Sequence, residues 1–447
     1  MPPRLPLFYT VLLVFSLVAC LFYHNITLER LLPLHKHKLK TFDPSMSVPY
    51  AFGHQSYHDC RSLFLKKPNS SDENWNQSKI WRPTDVLTDR QIANMNCAEF
   101  HKRFWFATFA MTREEANYPI AYAMLVYTRA DQIVRLLQTI YWPQNIYCIH
   151  VDLGSQPNFV SAITTIVECL PNNVFLSSNR ERSIWGTDGI LKGALHCMRD
   201  LHDYNSAWKF IQIYSGNDFP LKTNLELVQI LRILNQSNDS ELEDGQIERY
   251  FYTNVGKWKV RPVPPHGVHI YKGSFQSTLT RRLVHFLLTD RRAKDLLAWT
   301  KNAEIIDEHY WATIIHNTHL RAPGNFPGEC WHYFHFRNRR KPWISRHQVW
   351  DEPDVANPCT GQLVHGSCVF GTGDLHQVPE AYQLALHKVY SNFEPATFRC
   401  LIEDFFNRTF LDRKSRINRF FYERLPSVKY QYLNEKEKLQ FNCFDIS

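Results

Sequence analysis

Apolar positions fall into three regimes along the chain. From Leu7 to Tyr23 the run LFYTVLLVFSLVACLFY has seventeen residues and no charge, at the short end of the ~17–25 residues that span a bilayer. From residue 24 to about 115 no period holds. Pro33, Pro44, Pro49, Pro68 and Pro83 interrupt the segment, and Asn69–Lys79 is a polar run. Near Tyr118 a rhythm begins. Ile120–Tyr127, Ile146–Asp152, Asn173–Ser178 and Lys209–Tyr214 are short apolar runs and predict buried strands. Between them, Ala130–Trp142, Asn158–Leu170 and Thr187–His202 carry apolar residues at helical spacing.

Strand and helix in alternation predict an α/β fold, with a mostly parallel sheet covered by helices on both faces. Past Pro220 the pattern weakens. Asn235–Gly245 predicts a polar loop, Thr280–Thr300 one or two helices, and Arg399–Phe420 a helical stretch. The divisions expected are a tail over 1–6, a transmembrane signal anchor over 7–23, a stem over 24–115 and one catalytic domain over 116–447. A cleaved signal peptide is the alternative for the N-terminal run.

Composition changes this picture in two ways. A net charge of +8 is spread along the chain. Without a basic arm or a recognisable RNA-binding strand, nucleic acid is a poor partner. Eleven cysteines without zinc-ligand spacing predict a disulfide framework in an oxidising compartment. Asn-x-Ser/Thr acceptors at Asn69, Asn76, Asn235, Asn238 and Asn407, with Asn25 nearer the span, point to the same side. Arg30, Lys36, Lys38 and Lys40 follow the span, and the positive-inside tendency would hold them in the cytosol. Large following domains translocate largely regardless of charge, so the cysteines and acceptor sites decide for a lumenal C-terminus.

Candidate chemistry gathers after the strands, where open α/β sheets bind ligands. Asp152 ends one strand and could accept hydrogen bonds from a base or ribose; a turn or N-cap carboxylate would look the same. The segment Ser215–Pro220 follows another strand, and Asp218 there fits a turn or a ligand contact. Asp307 and Glu308 are adjacent carboxylates ahead of a helical stretch. Mutual repulsion and desolvation are what raise a carboxyl toward the pKa of a general base; a solvated charge pair is the plainer reading. No two aspartates are separated by one residue, and Asp239-x-Glu241 and Glu241-x-Glu243 lie in the polar loop. A diphosphate here would therefore need cationic side chains in place of a metal, with Lys388 and the run Arg337–Lys341 as candidates. His332 and His335 beside Cys330 could suggest a metal, but a packed aromatic segment explains them better.

The runs YWPQNIYCIHVD (141–152), NDFPLKTNLELV (217–228), DEHYWATI (307–314) and CVFGTGDL (368–375) occur in the order of one family. Over about residues 95 to 410 the chain resembles the core 2 β-1,6-N-acetylglucosaminyltransferases. These are branching enzymes of mucin-type O-glycans, in a superfamily shared with peptide xylosyltransferases. The resemblance implies a GT-A-type Rossmann-like fold and inverting, metal-independent transfer of GlcNAc from UDP-GlcNAc to the GalNAc of Galβ1-3GalNAc. It implies Glu308 as the catalytic base, Asp152 and Trp185 at the nucleotide, and Lys388 at the diphosphate. Arg249 and Glu243 would meet the acceptor. His365 stands where the family usually has an arginine, a second diphosphate cation. The divergent segment Gln246–Ser274 also leaves UDP-glucose or UDP-xylose open as donors, and a silent glycan-binding homologue open as an alternative. Disulfides Cys60–Cys400, Cys97–Cys169, Cys148–Cys197 and Cys359–Cys368 are implied, leaving Cys20, Cys330 and Cys443 unassigned. The implied setting is the Golgi membrane, single-pass type II, acting on glycoproteins; a homodimer is compatible with it.

Overall fold

The computed structural model describes residues 57–446, apart from 70, 206, 246–262, 302, 304, 338–340 and 353–356. The expected anchor, Cys20 and Asn25 lie outside the described residues. No helix among those described is long and apolar enough to cross a membrane. The described residues all fall in one compact unit.

The centre is a five-stranded sheet. Strands β1 (Ala121–Val126), β2 (Ile146–Val151), β3 (Val174–Leu176) and β4 (Phe210–Ser215) run parallel in the order β3-β2-β1-β4. Two-residue and three-residue strands follow: β5 (Asp218–Pro220), β6 (Glu243–Asp244), β7 (Tyr271–Lys272) and β8 (Thr278–Thr280). β8 closes the sheet, antiparallel to β4.

Side chains alternate across a strand, and β1 shows the consequence. Tyr122, Met124 and Val126 join the core formed with helices α1 (Ala130–Ile140) and α2 (Pro157–Glu168). Ala121 and Ala123 face the opposite core, under helix α3 (Gly189–Tyr204) and helix α4 (Arg281–Thr289). Small residues let α3 approach closely. A Cβ added at Gly193 would lie 2.9 Å from the His150 ring, and Cys148–Cys197 ties β2 to the same helix. The predicted strand–helix order over 120–215 is therefore present, with ends shifted by a few residues.

The described residues of 57–115, expected as stem, are packed on this body. Ile92, Phe100, Phe104 and Phe106 are buried in the core beneath α1 and α2. Asp85 binds Arg399 at 2.8 and 3.2 Å and lies 3.6 Å from Arg135. The Asp89 carboxylate accepts from Ala130 N at 2.8 Å, at the start of α1. The helices here are four to eight residues long, too short to print a period. A boundary at 115/116 is thus not a break in the packing.

The structure contains the four disulfides implied by the resemblance and a fifth, Cys330–Cys443. The last removes Cys330 from any metal reading with His332 and His335.

The supposed polar loop after Asn235 is in part a buried node. Asp239 accepts from Ile344 N and Ser345 N at 3.1 and 2.7 Å. Burial pushes its carboxyl up, while the buried Lys341 ammonium pulls it down; the net is upward. Asn238 corrects the glycosylation expectation. Its amide nitrogen donates to Pro323 O and Gly324 O at 2.7 and 2.9 Å, and its oxygen accepts from Thr280 N at 2.8 Å. A glycan would replace one of that nitrogen's two hydrogens, breaking one of these bonds, at a residue only 2% exposed. Asn69, Asn76 and Asn235 are exposed, and Asn407 is half-buried. Past the sheet, the expected helix over 399–420 is shorter: helix α5 covers Pro395–Phe406, one wide turn follows, and 412–418 is irregular.

Candidate active site

A cleft of about 790 Å³ opens beyond the C-terminal ends of β1, β2 and β4. Asp152, Trp185, Glu243, Glu308, His365 and Lys388 all line it. Arg249 lies outside the described residues.

Asp152 follows β2, whose residues are all buried. Both carboxylate oxygens accept backbone N–H groups, from Gly154 and from Ser183, each at 2.6 Å. The same residue's carbonyl accepts from Arg180 at 2.7 Å. Asp152 therefore pins the loop that carries Trp185, and a carboxylate with about four lone-pair sites keeps capacity for a ligand. Trp185 is 71% exposed and is followed by Gly186 at φ +81°, whose carbonyl accepts from Ile305 N at 3.0 Å. A side chain at that glycine would be strained.

Ile305 leads directly into the short turn Ile306–Glu308. The Glu308 carbonyl accepts from Gly273 N at 2.7 Å, which docks the end of β7 against the turn. Asp307 is buried and Glu308 half-buried. Behind them the helix Tyr310–His316 is buried throughout. Glu243 on β6 pairs with Lys272 on β7 at 3.1 Å.

Lys388 follows strand β11 (Ala385–His387), which pairs with β5. Its ammonium donates to Val364 O at 2.9 Å, and burial pulls its pKa below the ordinary lysine value. Among the described residues no ion-pair partner of Lys388 is present. Val364 ends β9 (Gln362–Val364), which forms a hairpin with β10 (Ser367–Val369). His365 and Gly366 make its turn at φ 53° and 72°, the left-handed pair that a two-residue hairpin turn requires. Histidine is among the residues enriched in that region. Cys359–Cys368 closes the base of this hairpin. His365 is exposed at its tip.

Other sequence candidates go elsewhere. Lys341 is buried away from the cleft and donates to Ser240 O at 2.7 Å, and Arg337 lies against Tyr333. Asp218 caps the turn after β4, accepting from Ser215 N at 2.6 Å, and is fully buried in an ion pair with Arg346. The sequence reading missed Lys272, Gln348, Trp350, Glu352 and His387, all in the cleft wall. His387 alone had a signal, its adjacency to Lys388.

The family model described as Core-2/I-Branching enzyme matches residues 120–378, a span that contains Asp152, Trp185, Glu243, Glu308 and His365. This chain belongs to the Core-2/I-branching enzyme family. Human N-acetyllactosaminide beta-1,6-N-acetylglucosaminyl-transferase is 32% identical over 339 residues, covering 73% of this chain and 81% of that protein. Human beta-1,3-galactosyl-O-glycosyl-glycoprotein beta-1,6-N-acetylglucosaminyltransferase is 30% identical, covering 72% and 77%. A Sus scrofa protein named as a probable enzyme of the latter kind, number 7, is 32% identical, covering 68% and 72%. As a Core-2/I-branching enzyme the chain is a glycosyltransferase of the hexosyltransferase class.

Proposed function

We propose that this chain transfers N-acetylglucosamine from UDP-GlcNAc, in β-1,6 linkage, to the GalNAc of a Galβ1-3GalNAc O-glycan. The reading takes the sheet as a GT-A nucleotide-binding core and the reaction as one inverting displacement without a divalent metal. Glu308 removes the proton from the acceptor C6 hydroxyl as that oxygen attacks the anomeric carbon. The bond from that carbon to the β-phosphate oxygen breaks, its electron pair leaves with UDP, and Lys388 meets the charge that develops there. Asp152 and Trp185 hold the uridine, and Glu243 and Arg249 meet the acceptor. The Golgi lumen as site, with a type II anchor, is supported by the disulfide framework, which an oxidising compartment maintains.

One observation carries this reading: Glu308 and the buried ammonium of Lys388 line a single cleft with Asp152. A buried cation is costly unless an anion completes it, and a diphosphate would do so. The relatives favour the donor and the linkage but differ in the acceptor their names state, which keeps N-acetyllactosamine chains as a second acceptor reading.

The test is UDP release from UDP-GlcNAc, UDP-glucose and UDP-xylose, each offered Galβ1-3GalNAc or an N-acetyllactosamine chain, in the presence of EDTA. Release only from UDP-GlcNAc with the disaccharide is the expected result. A strict manganese requirement would overturn the metal-free mechanism. Faster turnover of another sugar or of lactosamine would move the donor or acceptor assignment. Glycan binding with no release in any arm would favour the silent homologue.

A further inference from the structure

His387 closes β11, and the register sets it opposite Asp218 of β5. Its Nδ1 donates to the Asp218 carboxylate at 2.7 Å. The other carboxylate oxygen accepts from Ser215 N at 2.6 Å and from the Arg346 guanidinium at 3.1 Å. Burial alone would push the Asp218 carboxyl up, but Arg346 and His387 outweigh it and hold it below the usual range. Arg346 is itself fully buried and lies over the Tyr214 ring at 4.4 Å.

The Asp218–Arg346 pair would be electrostatically complete without a histidine. Instead one oxygen of a fixed, ionised carboxylate is spent on an imidazole that lines the cleft with 14% of its side chain exposed. With Nδ1 committed, Nε2 is the nitrogen left for a ligand. Lys388 is the next residue. His365, by contrast, stands exposed on its hairpin, with no ion-pair partner among the described residues.

We propose that His387, held through Nδ1 by Asp218, binds the donor diphosphate through Nε2 beside Lys388 and helps hold the UDP that leaves. This deepens the UDP-sugar reading and rests on it. No net proton moves at His387: the sugar–oxygen bond breaks onto the phosphate, and the acceptor proton goes to Glu308. Among the described residues, Asp218 of β5 contacts the imidazole, Arg346 binds the other oxygen of that carboxylate, and Lys388 is the adjoining residue.

Calorimetric binding of UDP and of uridine to the full chain tests the assignment. His387→Asn keeps a donor toward Asp218 and has nothing at the Nε2 position. It is expected to lower UDP affinity about tenfold, the scale of one charge-assisted hydrogen bond, and to leave uridine affinity unchanged. His387→Gln, which returns a neutral donor near Nε2, is expected to recover part of that loss. Unchanged UDP affinity in both variants would overturn the proposal, and so would a parallel fall for UDP and uridine, which marks a structural role. No UDP binding by the unmodified chain would defeat the donor reading itself, and this inference with it.

Discussion

The proposed donor and acceptor ends of the cleft are built from different material. At the donor end, Asp152 follows a strand buried along its whole length. Lys388 and His387 hang from β11, anchored on β5 and a buried ion pair, and a disulfide closes the hairpin that carries His365. At the acceptor end, Glu243 and Lys272 stand on strands of two residues each, joined to the core through the Gly273–Glu308 contact. Lys388 and His387 stand at the first end beside Asp152, while at the second Glu243 is already paired with Lys272. Stabilising a leaving diphosphate requires charges that do not reorganise during reaction. Recognising a sugar needs hydrogen bonds whose placement can differ among relatives without disturbing the fold.

That contrast can be broken in order of expected effect. Glu308→Gln should lower kcat by roughly a thousandfold, within the range of a lost general base, with UDP affinity unchanged by calorimetry. Turnover near that of the unmodified chain would remove Glu308 from the chemistry. Lys388→Gln should cost about a hundredfold in kcat/KM, the scale of one charge lost at a leaving group. Because its effect belongs to the donor end, the acceptor KM should hold steady; a change confined to that constant would reverse the assignment of ends.

Glu243→Gln should do the opposite, raising the acceptor KM about fivefold while UDP affinity stays level. A weaker UDP complex in that variant would show that the two ends are not independent. The smallest effect belongs to the hairpin. Replacing Cys359 and Cys368 together by serine opens a short loop and should destabilise the chain by at most roughly 2–3 kcal/mol in the entropy model. UDP affinity should then fall only about threefold, and no fall at all would mean that β9–β10 holds its shape without the bridge.

Legibility from sequence followed the same division. Asp152 stood out because it ends an apolar run, Glu308 because a short motif surrounds it, and Lys388 as a candidate cation named by the resemblance; all three line the cleft. Lys272, Trp350 and Glu352 could not, since they sit on two-residue strands or irregular segments where no period marks an inward face. The helices over 60–116 failed for the same reason, although their apolar side chains complete the core under α1.

Sequence alone determined the order of strands and helices from residue 120 to 215, because alternation of burial along a strand or helix is a local, one-dimensional record. It also determined which residues emerge from the ends of those strands. Only the tertiary structure decided that Asp218 meets His387 across 169 residues, that Cys330 joins Cys443, and that Asn238 is bound to backbone carbonyls instead of open to modification. Such pairings are chosen when distant segments compete to bury apolar surface and satisfy polar atoms together, and that competition leaves no periodic trace in either segment.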